Sequence, residues 1–281
     1  MGALRNRAAT VSDVALRANL EIYEHFDEGA YIRGSPHLRH RSIGGLYRTL
    51  VDQAIAPIRR HQSEISVLEL GAGNGLASIP WFKQGARVTA IDSSSRMLRH
   101  FTRRAEAYGS RPRTVESDVF EYLSSTDEQF DVVTQVSMLH HIPDYLALIG
   151  QAVRHVRAGG SLLTFQDPLR YDRMPKKHHL IDRACYFAWR LGQGNYLRGL
   201  KTRWRRLHHV YDPNEPVDYD EFHVVRNGVD GEAIMGRLEP SFSDVRMVPY
   251  WSTFSPPLQW LGERTGLTSC FAILATGKKA A

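Results

Sequence analysis

The stretch 67-VLELGAGNGL-76 begins as an apolar run interrupted by Glu69 and then places glycines at alternate positions, Gly71, Gly73 and Gly75. The run reads as a buried strand closed by glycine, and the glycines as a turn into a helix whose first N–H groups are free to meet a ligand. A tight turn alone needs one glycine. Three allow backbone to approach a bound molecule closely. Spacing then narrows the ligand. A dinucleotide fingerprint is G-x-G-x-x-G and a P-loop is G-x-x-x-x-G-K followed by Ser or Thr, whereas this turn is G-x-G-x-G without a lysine. Neither phosphate cradle fits, which leaves a ligand with a ribose, a carboxylate and an ammonium group.

Working outward, strand and helix signals alternate. "ISVLELG" is the first strand, and "LASIPWFKQ" the helix after it, with Pro80 tolerable in the first turn or at a kink. "RVTAID" is a second strand, followed by a helix with a serine N-cap and Met97, Leu98, Phe101 and Ala105 on one face. "RTVESDV" is a third strand and "FDVVTQVSML" a fourth. "YLALIGQAVRHVRAGG" reads as a helix ended by its glycines, and "SLLTFQDP" as a fifth strand stopped by proline. "DVRMVPYWS" and "SCFAILATGKK" supply two more strands. Such alternation predicts an α/β fold, a largely parallel Rossmann-like sheet with helices on both faces. Ligands of such sheets settle at the carboxyl ends of the strands beside the first one, where the glycine turn lies. Asp92 ends the second strand, where a carboxylate accepts from ribose hydroxyls, and Asp118 ends the third, within reach of an adenine amino group. Both could instead be helix caps, and Glu69 a core carboxylate.

These residues together resemble the class I S-adenosylmethionine-dependent methyltransferases of small-molecule type. The likeness covers Ser66 to Pro168, through "VLELGAGNG", "VTAIDSSSRML", "ESDVFEY", "FDVVTQVSMLHHIPD" and "HVRAGGSLLTFQDP". It implies a seven-stranded sheet in the order 3-2-1-4-5-7-6 with an antiparallel last strand, S-adenosyl-L-methionine as cofactor and S-adenosyl-L-homocysteine as product. It also implies roles. Glu69 orients the glycine loop toward the methionine ammonium, Gly71, Gly73 and Gly75 shape the bed, and Asp92 holds the ribose. Ser93 and Met97 border the adenine, Asp118 and the Val119 amide meet its edge, and Gln135 offers backbone to the methionine end. "IYEHFDEGAYIRG" resembles the helical cap of natural-product methyltransferases, making Tyr23 and Tyr31 candidates to face the sulfonium by cation–π contact; either could equally be core packing.

Methyl transfer from a sulfonium is an in-line displacement, and a general base is needed only if the acceptor carries a proton. His140 and His141, at the mouth of the fourth strand, are the candidates, although His141 could cap the next helix or stack on the core. No histidine pair has the i, i+4 arrangement with a carboxylate that marks a helical metal site, so no metal is expected.

The expected organisation is a helical cap over residues 1–60, the cofactor core over 61–168, a lid over 169–235 and the closing strands over 236–281. The lid is dense in aromatic residues, among them Tyr186, Phe187, Trp189, Tyr196, Trp204, Tyr211, Tyr219 and Phe222. That suits a mid-sized apolar or aromatic acceptor, methylated on oxygen, nitrogen or carbon, with an isoprenoid double bond among the carbon acceptors. The 281 residues carry a formal charge of +6, and Arg170 to Arg206 holds eleven Lys or Arg against two Asp. That basic stretch leaves open an RNA or DNA substrate, or an anionic membrane surface. Against nucleic acid, "QVSML" stands where base-amino methylases of this fold resemble Asp/Asn-Pro-Pro-aromatic. A cyclase or a non-catalytic binding protein on the same cofactor bed also stays open. No window nears the roughly 18 consecutive apolar residues of a membrane span, the first twenty residues lack a secretion signal, and Cys185 and Cys270 lack a metal spacing. A cytoplasmic protein is expected, with the N-terminal helices available to pair with a second copy.

Overall fold

The computed structural model describes residues 27–192 and 228–280. Tyr23, the helix expected over "VALRANLEIYEHF", and the lid residues from 193 to 227 lie outside them, including Tyr196, Trp204, Tyr211, Tyr219 and Phe222. Three helices come first, α1 (Glu28–Arg33), α2 (Pro36–Arg39) and α3 (Arg41–Arg59). The core follows as β1 (Ser66–Leu70), α4 (Ile79–Lys83), β2 (Arg87–Asp92), α5 (Ser95–Ala107), β3 (Arg113–Glu116), α6 (Val119–Ser125) and β4 (Phe130–Val136). It continues with α7 (Tyr145–Ala152), β5 (Val156–Pro168), α8 (Lys176–Gly192), α9 (Gly231–Leu238), β6 (Phe242–Tyr250), α10 (Pro256–Arg264) and β7 (Cys270–Lys278). The strands form one seven-stranded sheet in the order β3-β2-β1-β4-β5-β7-β6, as the resemblance implies. The β5–β7 and β6–β7 pairs are antiparallel and the others parallel.

Alternation along the buried strands sends side chains into two apolar layers. On one face, Val67, Val132, Leu163 and Phe165 pack with α3 and Trp81. Helix α3 buries Ile43, Tyr47, Leu50, Val51, Ala54, Ile55 and Ile58 at spacings of three and four, each burial contributing about 1.5–3 kcal/mol for the larger side chains. On the other face, Leu68, Leu70, Val133, Leu162 and Ile273 pack with α6, α7 and α9. Ile234 and Leu238 of α9 are fully buried there, and α9 straddles residue 235, where the lid was expected to end. Pro80 lies in the first turn of α4, where its missing N–H costs nothing.

One element differs from its sequence reading. The helix after β4 stops at Ala152 and tightens into a 3-10 turn over Val153–His155, so Gly159 and Gly160 lie within β5 and end no helix. The His155 ring bonds the carbonyls of Glu128 and Leu123, which fixes the chain reversal there. Gly160 is required by close packing, since a Cβ on it would meet the Asp131 carbonyl oxygen at 2.6 Å.

Candidate active site

The loop after β1 is built by its neighbours. Gly71, Gly73 and Gly75 all have positive φ, 64°, 54° and 78°. A Cβ on Gly71 would stand 2.7 Å from the Met138 sulfur and one on Gly75 3.0 Å from the Phe101 ring, so these two are also demanded by packing. At Gly73 a Cβ would meet Met97 Cε at 3.8 Å and Tyr31 Oη at 3.9 Å, ordinary contact distances, so packing demands glycine less strictly there than at Gly71 or Gly75. Met97, 1 % exposed, and Tyr31 thus both adjoin the loop at Gly73.

Two carboxylates flank the loop. Glu69 is buried on β1 and accepts from the Ser78 hydroxyl at 2.5 Å. Burial pushes its carboxyl up to about 7 against the pull of that hydrogen bond, and the nearby Asp92 adds to the rise. Asp92 accepts from the Gly73 amide and the Ser94 amide, each at 2.8 Å and each on a different oxygen. It therefore fixes the loop while keeping a lone pair on each oxygen for a ribose hydroxyl. Burial raises its pKa as well. Ser93 lies between Asp92 and the α5 N-cap Ser94 and is partly exposed. The Tyr31 phenol is pushed up to about 12 by burial and by Asp92 and Glu69. Asp118 caps α6 through one oxygen, accepting from the Phe120 and Glu121 amides, and Val119 is buried as the first residue of that helix. Gln135 is 1 % exposed near the end of β4.

The groups present fit an adenosine with a methionine tail. Asp92 keeps a lone pair on each oxygen beside the loop, and the buried Glu69 carboxyl is a group whose ionised form a cationic neighbour would favour.

His140 and His141 occupy a 3-10 turn over Leu139–His141, their rings 4.1 Å apart and tilted by 44°. Asp144, and not a histidine, caps the following helix α7. His140 Nδ1 lies 2.8 Å from Asp167 Oδ1, which also accepts from the His140 amide at 3.2 Å. Asp167 is fully buried. Burial pushes its carboxyl up to about 7 and holds the His140 imidazole well below its usual value, where His141 and His37 lower it further. Burial thus disfavours charge on both partners. His140 also lines a cavity of 290 Å³ with Leu139, Ile142, Pro143, Tyr145, Arg170 and Val229. Arg170 there is paired with Asp172 and Asp230.

Asp167 and His37 escaped the sequence reading. The first was visible only as a carboxylate in "TFQDP" before the strand-stopping proline, and nothing in "SPHLR" marks the second. His178, in the expected lid, has its Nδ1 3.2 Å from the Thr268 hydroxyl. Among the described residues no group of His, Cys, Asp and Glu could hold a metal ion, and no helix is long and apolar enough to cross a membrane.

Known proteins agree with this geometry. Residues 67–160 match a family model described as a methyltransferase domain. A ubiquinone biosynthesis O-methyltransferase from Aliivibrio fischeri is 33% identical over 94 residues, which is 34% of this chain and 40% of that protein. The matched stretch thus spans less than half the length of such curated relatives. The N-methyltransferase NodS from Bradyrhizobium japonicum, crystallised with S-adenosyl-L-homocysteine, superposes with a TM-score of 0.53 at 17% identity, over 94% of this chain and 99% of that one. The magnesium protoporphyrin IX methyltransferase ChlM from Synechocystis, with bound S-adenosylmethionine, gives 0.51 at 15% identity, over 98% and 100%. The matched stretch carries the glycine loop and the acidic strand ends, so residues 67–160 form a methyltransferase domain, set in a sheet whose fold is shared with the two solved methyltransferases.

Proposed function

We propose that this protein transfers the methyl group of S-adenosyl-L-methionine to a hydroxyl of a mid-sized apolar or aromatic small molecule. The observation that carries the reading is the His140–Asp167 pair at the carboxyl ends of β4 and β5, on the sheet edge that also bears the glycine loop. The bound sulfonium supplies an electrophilic methyl group. Glu69 and Asp92 hold the two polar ends of the cofactor, and Tyr31, beside the loop at Gly73, helps keep water out. A hydroxyl acceptor must lose a proton as its oxygen is methylated. With Asp167 ionised, His140 carries its proton on Nδ1 and keeps a lone pair on Nε2, the arrangement of a carboxylate-oriented general base. The His141 ring packs against the same ring at a tilt.

The apolar cavity wall beside His140, formed by Leu139, Ile142, Pro143 and Val229, supports an apolar acceptor. The similarity to an enzyme named as an O-methyltransferase supports oxygen over nitrogen or carbon. Nucleic acid is the weaker reading, because "QVSML" stands at the end of β4 in place of the Asp/Asn-Pro-Pro-aromatic pattern of base-amino methylases. The test is a panel of phenols, aliphatic alcohols, amines and isoprenoids offered with methyl-labelled cofactor. Labelled O-methyl ethers are expected; transfer to amines or carbon alone would overturn the hydroxyl assignment.

A further inference from the structure

At the ends of β4 and β5, buried polar groups converge that none of the roles above uses. Thr164 stands opposite Gln135 in the parallel β4–β5 ladder. Alternation sends both side chains to the face of Val133 and Leu162, toward α6 and α7. In a regular strand Asp167, three residues beyond Thr164, would point the other way. The β5–β7 register prevents this by stepping from Phe165 opposite Ala272 to Asp167 opposite Phe271. Gln166 is the extra residue of that bulge, held at φ 68°, with its amide bonded to Ser252 and to the Tyr250 hydroxyl on the opposite face. The bulge thereby puts Asp167 on the same face as Thr164 and Gln135.

Gln135 is 1 % exposed, and Thr164 and Asp167 are fully buried. Among the described residues, both amide atoms of Gln135, Thr164 Oγ1 and Asp167 Oδ2 have no hydrogen-bond partner. Buried polar atoms are almost always bonded, and several in adjacent residues point to internal water. We propose that Gln135 and Thr164 are positioning residues for the His140–Asp167 pair, forming with internal water a polar seat that donates hydrogen bonds to Asp167 Oδ2 while Oδ1 takes His140. The Thr164 hydroxyl and the Gln135 amide are donors, and a water between them has two hydrogens to give. The seat favours the ionised carboxylate, and so the form of the pair with a lone pair on Nε2. It deepens the proposed role of the pair and rests on it.

The test is the titration of the His140 ring in the full-length protein, followed by NMR with labelled histidine and identified by its loss in His140→Gln. His141 and His37 act electrostatically on the same ring, and Asp167 acts on Tyr250 of β6 and Cys270 of β7; all four stay unchanged in every variant. Thr164→Val and Gln135→Met should each move the pair's midpoint upward by about one unit, because the ionised carboxylate loses donors. Thr164→Ser should restore the wild-type midpoint. Midpoints that coincide in all variants would overturn the seat, as would weaker S-adenosyl-L-homocysteine binding by Gln135→Met without any shift, which would assign that amide to the cofactor. If Thr164→Val does not fold, Gln135→Met decides alone. A shifted midpoint in a protein that transfers no methyl group would sink the proposed activity and leave the seat standing; methyl transfer with unshifted midpoints would do the reverse.

Discussion

Glu69 should make cofactor binding release a proton. It is buried, meets one hydroxyl, and has its carboxyl pushed up to about 7, so it is largely protonated in mildly acidic solution. An ammonium placed against it favours the ionised form and pulls the proton off. The cost grows by about 1.4 kcal/mol per pH unit below the pKa, so affinity should be about tenfold weaker at about pH 6 than at about pH 8. S-Adenosyl-L-homocysteine is the suitable probe, because it carries the amino-acid tail without a reactive sulfonium. Calorimetric titrations in two buffers of different ionisation enthalpy give the protons released. About one is expected at about pH 6 and almost none at about pH 8.5. Glu69→Gln keeps the Ser78 contact, removes the titration, and should bind weakly with little dependence on pH. A wild type that releases no proton at about pH 6, or whose affinity follows the same curve as Glu69→Gln, would refute the assignment of Glu69 to the methionine end.

The same shift has a consequence for the unliganded protein. Glu69 and Asp167 both have folded pKa values raised to about 7, so the stability they contribute is complete below their unfolded values near 4 and is lost as pH rises through about 7. Melting temperature, followed by circular dichroism, should therefore fall between about pH 5 and pH 8, and less so in Glu69→Gln. His140→Ala and Asp167→Asn should each slow transfer to a hydroxyl by about 10²–10⁴-fold with little change in S-adenosyl-L-homocysteine affinity, as measured by steady-state kinetics and calorimetry. The wild-type rate should rise through a limb near pH 7, where Asp167 ionises, and Asp167→Asn should lose that limb. Gly71→Ala should destabilise by about 1–3 kcal/mol in urea unfolding, because its Cβ meets the Met138 sulfur at 2.7 Å in a left-handed backbone. Gly73→Ala, with no neighbour inside 3.8 Å, should lose less stability and mainly cofactor affinity. Asp131→Ala strands the partly buried Ser66 amide, whose hydrogen bond it accepts at 2.7 Å, and removes an Arg157 contact, and should cost about 1–3 kcal/mol.

Much of this was legible in the residues because it depends on local periodicity. The strands announce themselves as apolar runs, and Ser94 caps α5 as a serine before an apolar face should. The acidic strand ends were visible too, though Asp92 proves to hold the loop as well as face outward, and Asp118 is a helix cap whatever else it meets. What escaped depends on register. Asp167 belongs with His140 only because Gln166 inserts a bulge, and a bulge leaves no periodic trace in "LLTFQDP". The glycines of "RAGG" read as a helix end by composition, while Gly160 is set by a carbonyl from the neighbouring strand, a contact between residues 131 and 160 that no local pattern encodes. His37 reaches His140 from a short helix far upstream for the same reason.

The measurement that bears most directly on the site is methyl transfer from labelled S-adenosyl-L-methionine to the phenol and alcohol panel, run in parallel on wild type, His140→Ala and Asp167→Asn, with S-adenosyl-L-homocysteine binding measured on each. The expected result is an O-methylated product from the wild type, transfer reduced by about 10²-fold or more in both variants, and binding preserved in all three. Unchanged transfer in the two variants would contradict a base at His140, and a wild type that does not bind S-adenosyl-L-homocysteine would contradict the cofactor bed itself.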